Sequence, residues 1–471
     1  MITFLICFAV LVLAYFTYGR FVEKIMQPDA DKKTPALSMT DGVDYVPMPQ
    51  WKMFMIQFLN IAGLGPIFGA IMGAKFGTSA YIWIVIGCIF AGATHDYIAG
   101  MLSLRHSGES LPDLIGRYLG KNTMNVVRVF SILLMILVGV VFMSGPAGLL
   151  ENLTTIRSYW WIAIIFVYYL LASMLPIDKL IGKVYPLFAV ALIFMAVGVM
   201  AQLLINWPSI PELWDGVQNT HPNAENVPIF PMLFISIACG AISGFHATQS
   251  PMMARCMTNE KQARSIFYGA MIAESIIALI WAAIGMAFWG GVKGLNAAIA
   301  EYGGSAAKMV DVITETTLGP VVAACVLVGV VGCAVTSGDT AFRCARLIVS
   351  DMFNISQKSL LKRVLVSLPL FAVALFIIFA LPFQTIWSYF AWCNQTLAVL
   401  TLWCITVYLF RIKKPILMGA VPALIMTYVC SSYIFVSPMM CGMENRALAY
   451  VLGGVLTLII AAAVHFKARK G

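Results

Sequence analysis

The chain has 471 residues, 61% of them hydrophobic and only 11% charged, with a strongly positive mean hydropathy. That composition places most of the chain in lipid and leaves no soluble domain, which sets aside soluble enzymes and sensors with an output domain. The net charge of +9 belongs to topology and anionic headgroups, since no basic run is interleaved with aromatics in the manner of a nucleic-acid binder.

Apolar segments of about 20 residues can span a bilayer, and thirteen candidates follow one another. They run Ile2 to Tyr18, Lys52 to Ala74, Ser79 to Leu104, Thr123 to Leu150, Tyr159 to Leu175, Val184 to Asn206, Pro228 to Pro251, Ser265 to Gly290, Leu318 to Val349, Val364 to Leu381, Thr385 to Phe410, Pro415 to Val436 and Arg446 to His465. All but five of the 30 Lys and Arg residues fall after odd-numbered spans or in the C-terminal tail, Lys358 among them; the exceptions are Lys75, Arg157, Lys293, Lys308 and Arg446. Cytoplasmic loops are enriched in these cations, so the N-terminus is expected outside and the C-terminus inside. The first segment lacks a basic n-region and a small-x-small cleavage pattern, and Arg20 follows it, so it reads as a retained helix rather than a signal peptide. The 11 cysteines show no metal spacing and only Cys441 falls in an expected outside loop, so no disulfide framework is expected.

Two segments are interrupted by helix breakers, and they sit five spans apart: Phe58-Leu-Asn-Ile-Ala-Gly63-Leu-Gly65-Pro66-Ile-Phe-Gly69-Ala70 and Phe234-Ile-Ser-Ile-Ala-Cys-Gly240-Ala-Ile-Ser-Gly244-Phe-His246-Ala-Thr-Gln249-Ser-Pro251. Non-helical backbone at membrane depth survives only where protein or a water-filled cavity satisfies it, and paired breaks in two halves point to a transport site. Spans two to six and seven to eleven form two sets of five, each opened by a broken helix, and five being odd, the second set enters from the opposite side. The expected fold is an all-α polytopic membrane protein with a LeuT-like (APC superfamily) 5+5 inverted repeat. Residues 1–50 form an N-terminal helix and cytoplasmic linker, 51–206 and 207–410 the two repeats, and 411–471 two C-terminal helices. Ser305 to Leu318 reads either as a lid over an external vestibule or as a surface helix, Glu109 to Leu119 as a matching inner helix, Asp29 to Pro49 as polar and irregular, and Trp207 to Val227 as a plain outside loop.

The breaks carry the candidate site. Pro66 suits the first turn of a second half-helix, where its missing N–H costs nothing; the free N–H groups of that turn, near Gly65 and Pro66, would favour a carboxylate, while carbonyls released by Ala62, Gly63 and Leu64 would face a cation. Helix packing is the other use for such glycines. The second break adds Ser243, Gly244, His246, Thr248 and Gln249, and a buried His can orient a carboxylate or shuttle a proton. His95, Asp96 and Glu274 are ionisable groups that lipid penalises, so each must face the bundle interior or water; proton coupling and structural pairing are both open for Asp96 and Glu274. Asp339, Arg343 and Arg346 share one helical face and are expected to form an inner-gate ion-pair network. Thr336 and Ser337, opposite the first break, are similar to the sodium site of LeuT-like transporters, with helix packing the alternative. Trp387, Asn394 and Gln395 either line the cavity or stitch helices together.

The same stretches resemble the carbon starvation protein A (CstA) family of membrane transporters, in its short-chain branch. The matching residues are Thr40-Asp-Gly-Val-Asp-Tyr-Val-Pro47, Ile61-Ala-Gly-Leu-Gly-Pro66, Ala238-Cys-Gly-Ala-Ile-Ser-Gly-Phe-His-Ala247, Asn259-Glu-Lys-Gln-Ala263, Tyr268-Gly, Glu274-Ser, Asp339, Arg343 and Arg346, spanning about Thr34 to Ala398. The resemblance implies uptake of small carboxylate nutrients, pyruvate or short peptides, driven by an ion gradient in the bacterial inner membrane. Departures are the Thr-Gln-Ser-Pro-Met-Met run after His246 and Ser337 in place of an apolar small residue. The expectation is an ion-coupled importer working by alternating access, with no cofactor and a proton or sodium as coupling ion. A membrane channel and a membrane-embedded enzyme or electron-transfer subunit are the rival classes; haem would need intramembrane His pairs, and only His95 and His246 are at hand.

Overall fold

The computed structural model describes residues 1–42, 44–172, 177–357 and 359–470, without the side chains of 177–184 and Lys470. Leu175, the expected end of the fifth span, and Lys358 lie outside the described residues, as do the side chains of Lys179, Lys183 and Val184.

Among the described residues there are helices and no β-strands. Ten helices are long and apolar enough to cross a membrane, and eleven if Gln50–Ile61 and Gly65–Phe76, bent by 52° at their junction, count as one span. The chain is thus a multi-pass membrane protein. Two expected spans are not among these helices. Ser158–Ala172 is the described part of the fifth expected span, whose end lies outside the described residues. The Pro228 to Pro251 segment is divided into Ile229–Ser236 and Gly244–Ala254.

Burial separates an inner set of helices from an outer one. Ser79–Arg105, Glu260–Phe288 and Phe383–Arg411 each have 83% of their most apolar stretch buried, against 17% for Arg446–Arg469 and 28% for Leu360–Ala380. The outer helices expose Leu458, Val455 and Phe376, as lipid-facing surfaces do, while the inner set carries Asp96, Glu274 and Asn394 fully buried. The two broken segments lie within this inner set.

The connections hold the ends of the bundle. At the end of the bundle expected to face inward, Glu260 is buried and accepts from Arg105 Nη2 at 3.1 Å and from the Asp29 amide at 3.1 Å, while the same Arg105 nitrogen donates to the Met26 carbonyl at 2.7 Å. The expected inner helix is present as Leu111–Leu119, with Asp113 paired to Arg128 at 2.7 Å. At the end expected to face outward, Ala306–Leu318 is a helix with Met309, Val310 and Ile313 buried, and its Ala306 and Ala307 border a cavity of about 390 Å³ with Phe68, Phe383 and Gln384.

The Trp207 to Val227 loop is more than a plain surface loop. Glu212 takes the Met1 amino group and the amides of Ile2 and Thr3, and Thr220 Oγ1 donates to the Lys75 carbonyl at 2.7 Å. It therefore ties the N-terminal helix to the end of the first broken segment. Burial pushes the Glu212 carboxyl up, but the amino group and the backbone donors outweigh it and hold the carboxyl down to about 2.

Candidate functional site

The first break begins where Gln50–Ile61 ends at Ala62 and helical turns resume at Gly65 with Pro66 in the first turn. Pro66 has no N–H to waste there. Gly63 and Gly65 are required by contact: a Cβ on Gly63 would lie 2.9 Å from the Phe142 ring, and one on Gly65 would lie 2.4 Å from Cys239 Sγ. The second contact joins the two breaks, because Cys239 belongs to the other one.

The carbonyls at the first break differ from expectation. Leu64 O is taken by the Phe68 amide at 2.8 Å, so the resumed helix satisfies it. The acceptors open to side chains are Leu59 O, which takes Ser337 Oγ at 3.2 Å, and Ala62 O, which takes Cys333 Sγ at 3.1 Å. Thr336 and Ser337 both also donate to Cys333 O, at 2.8 and 2.9 Å. Ala62, Gly63 and Ser337 thus come together, while the Thr336 hydroxyl turns back onto its own helix.

At the second break, Ile237 to Ser243 separates Ile229–Ser236 from Gly244–Ala254. Trp83 Nε1 donates to Ile237 O at 2.9 Å and Gln395 Nε2 to Phe234 O at 3.2 Å, which covers carbonyls that an unbroken helix would have used. Asn394 Oδ1 accepts from the Phe245 amide at 2.8 Å and from Ser243 Oγ at 3.0 Å. Asn394 therefore caps the half-helix that was expected to offer its free N–H groups to a substrate. Gly244 is a contact glycine as well, since a Cβ would lie 2.4 Å from the Ala398 amide nitrogen.

One turn into the capped helix stands His246, and around it gather the ionisable groups of the inner helices. His246 Nδ1 lies 2.8 Å from Asp96 Oδ2, His95 Nδ1 lies 2.8 Å from Asp96 Oδ1, and His246 Nε2 lies 3.3 Å from Glu274 Oε2. All four side chains are fully buried. An ionised Asp96 is acceptor-only, so both imidazoles present Nδ1–H to it and keep Nε2 as a lone pair or a second N–H. His95 Nε2, His246 Nε2 and both Glu274 oxygens have no aligned hydrogen-bond partner. An unrelieved buried charge costs several kcal/mol, and here two carboxylates stand beside two imidazoles, all four fully buried.

The other candidates lie apart. Gln249 turns its amide to Thr248 Oγ1, 3.1 Å away, and Cys344 Sγ. Asp339 makes no ion pair with Arg343 or Arg346 among the described residues; its Oδ2 accepts from Tyr185 at 3.3 Å while Arg343 Nη2 donates to Ala172 O at 3.1 Å. Asp339 and Arg343 thus each reach a group on a neighbouring helix, the Tyr185 hydroxyl and the Ala172 carbonyl. Sequence reasoning placed Asp96, His246 and Glu274 separately and assigned no role to His95 or Cys239. The one available signal was that every intramembrane charge needs a partner, which favours joining the acids to the histidines.

Fold and centre together define a multi-pass helical membrane protein with two broken helices in contact and a buried cluster of ionisable side chains beside one of them. The family model described as "Carbon starvation protein CstA" matches residues 1–144 and 145–328, and the chain belongs to that family. It is 42% identical over 349 residues to an uncharacterized membrane protein of Haemophilus influenzae, covering 64% of this chain and 94% of that one. It is 31% identical over 332 residues to the peptide transporter CstA of Campylobacter jejuni and 26% identical over 336 residues to the pyruvate/proton symporter BtsT of Escherichia coli, covering 57% and 58% of this chain. In both cases only 47% of the relative is covered, so the chain spans about half the length of these two. Among solved structures, a mutant of the Eremococcus coleocola manganese transporter superposes with a TM-score of 0.58 at 13% identity, over 92% of this chain and 99% of that one. This last likeness is one of fold.

Proposed function

We propose that the chain is a proton-coupled secondary transporter that imports a small carboxylate, pyruvate or a short peptide, by alternating access across a bacterial inner membrane. The observation that carries this reading is the fully buried His95–Asp96–His246–Glu274 cluster at the second break. The names of the relatives, a peptide transporter and a pyruvate/proton symporter, supply the substrate classes. The architecture goes with it: a LeuT-like 5+5 inverted repeat over 51–206 and 207–410 within thirteen spans, N-terminus outside, C-terminus cytoplasmic.

In this cycle the substrate carboxylate competes with Asn394 Oδ1 for the Phe245 amide and Ser243, near the Gly65–Pro66 turn. A proton from outside settles on the His246–Glu274 pair and removes the charge that keeps the site open to water. Release inward passes through Asp96 and His95, towards the inner half of their helix, and Asp339, Arg343 and Arg346 form the inner gate. No cofactor takes part, and the reading excludes an enzyme.

Uptake of labelled pyruvate and of a labelled dipeptide into proteoliposomes, with proton and sodium gradients imposed separately, tests the proposal. Concentrative uptake under the proton gradient supports it, whereas no uptake under either gradient, or wild-type rate and affinity in His246→Ala, overturns it. Sodium keeps one specific support, the Ser337 hydroxyl against Leu59 O at 3.2 Å; uptake indifferent to replacing sodium by choline at fixed pH would remove it.

A further inference from the structure

Besides a proton, the geometry points to a second ligand for this centre: a divalent transition metal of the zinc class, held by Cys239 Sγ, His246 Nε2 and a Glu274 carboxylate oxygen. These three ligand atoms all lie within 4.8 Å of one another and come from three separate pieces of backbone: the break, the half-helix that follows it, and the Glu260–Phe288 helix. Cysteine spacing alone carries no hint of this. The inference stands apart from the transport reading, since it concerns occupancy and not movement of substrate.

The second observation is the state of the donors. His246 Nε2 and both Glu274 oxygens are fully buried and lack hydrogen-bond partners, although Nε2 and Oε2 are 3.3 Å apart. Cys239 Sγ has only weak contacts, 3.9 Å to Ser243 Oγ and 3.6 Å to Asn394 Nδ2. Unsatisfied atoms of the kinds that bind zinc therefore converge on one point. Behind them, Asp96 accepts from His246 Nδ1 at 2.8 Å, the carboxylate–histidine–metal arrangement that fixes the tautomer and leaves Nε2 for the metal. His95 holds the other Asp96 oxygen at 2.8 Å, so the supporting group is itself anchored.

Size and charge agree. Bonds of about 2.0–2.3 Å in a tetrahedron place ligand atoms roughly 3.3–3.7 Å apart, so the widest pair must close by about 1 Å. The non-helical Ile237 to Ser243 stretch supplies that freedom, and Gly65 leaves the room beside Cys239 Sγ that any side chain would fill. A thiolate and a carboxylate together carry the charge that a divalent ion neutralises. Binding therefore expels the Cys239 thiol proton and whichever proton the His246–Glu274 pair holds. Three protein ligands leave one position open to water or to a carboxylate oxygen. Occupancy clamps the break to the Glu260–Phe288 helix and competes with the proton.

The test uses the full chain in lipid nanodiscs, dialysed to equilibrium against Zn²⁺ or Co²⁺. Expected are one ion per chain, proton release into a weakly buffered solution, and a thiolate-to-cobalt charge-transfer band. Cys239→Ser abolishes that band, Glu274→Gln weakens binding by more than about tenfold, and Asp96→Asn weakens it about 10–100-fold through the imidazole. Replacing the exposed Cys325 and Cys441 by Ser leaves binding intact, which separates the centre from adventitious thiols. Absence of stoichiometric metal in the wild type, or a band that persists in Cys239→Ser, overturns the proposal. Because metal is measured without transport, failure here and failure of uptake are distinguishable.

Discussion

The two broken helices occupy matching places in the chain, yet they are filled differently. At the first break, between Ile61 and Gly65, the groups that meet the backbone are neutral: Ser337, Cys333 and the Phe142 ring. At the second, between Ser236 and Gly244, an amide caps the helix, and His246 on its first turn joins three ionisable side chains from two other helices. Both segments break an apolar helix, but among the described residues only the second gathers ionisable side chains. On the proposed function the first break offers carbonyls and the second answers to protons.

The largest expected effect tests that division directly. Asp96→Asn removes the anion that both imidazoles address, and losing one partner of a buried charged group costs about 3–5 kcal/mol. We expect accumulation driven by a pH gradient to be abolished and thermal stability to fall, while equal-pH substrate exchange in the surviving folded protein is retained in part. Ser337→Ala, its counterpart at the first break, should leave the pH dependence untouched. A pH profile that moves in Ser337→Ala and stays fixed in Asp96→Asn would invert the comparison.

Next in size is the contact between the breaks. In Gly65→Ala the new methyl would lie 2.4 Å from Cys239 Sγ, and overpacking of this kind costs about 1–3 kcal/mol. Uptake should fall sharply, with partial rescue in Gly65→Ala/Cys239→Ala, where the colliding sulfur is gone. Gly63→Ala meets the edge of the Phe142 ring instead and should be milder. Equal loss in both single variants, with no rescue, would mean that each glycine acts only within its own helix.

Much of this arrangement was legible beforehand, and what escaped has a common cause. Gly63, Gly65, Pro66 and Gly244 announced the breaks because helix breakers clustered in an apolar run are a local signal, although the close contacts that require the three glycines are not. The pairing of Asp96 with His246 was not visible, because the two are 150 residues apart and neither periodicity nor spacing carries information over that distance. Asn394 was singled out as polar in an apolar run, but its partner, the Phe245 amide, is 149 positions away, so cavity lining and helix capping could not be told apart. Asp339 and Arg343 show the converse: local spacing put them on one face, and the partners they reach, Tyr185 and the Ala172 carbonyl, lie on other helices that spacing does not reveal. The Trp207 to Val227 loop looked plain because hydrogen bonds such as Thr220 to the Lys75 carbonyl leave no mark on composition.

Smaller again is Ser337→Ala itself. It removes a hydroxyl that bridges Leu59 O and Cys333 O, worth about 0.5–1.5 kcal/mol. With proton coupling alone, uptake should change less than about threefold, in line with a single neutral hydrogen bond, and stay independent of sodium. Sodium stimulation that is present in the wild type and absent in the variant would give the first break an ionic role and weaken the contrast between the halves.

The smallest effect lies outside the membrane, where the loop clamps the end of the first broken segment. His221 packs on the Phe76 ring at 5.2 Å between centroids and its Nδ1 accepts from the Asn223 amide at 3.1 Å. Burial, then the nearby Lys75 charge, holds this imidazole down to about 4. The sign follows from linkage: between an ordinary His value near 6.5 and about 4, the opened loop binds a proton that the docked loop refuses, so docking weakens as pH falls through that window. Amide hydrogen exchange over 207–227, corrected for its intrinsic pH dependence, should show protection declining below about pH 6.5 and should lose that dependence in His221→Asn. In Lys75→Met the docked imidazole should accept a proton at higher pH, which narrows the window. Since the outside is the acidic side during proton-driven import, loosening of the loop would then free the outer end of the first broken segment under the same gradient that charges the second. Protection that stays constant across the window would leave the first break with no link to protons at all, which is the sharper form of the contrast between the two.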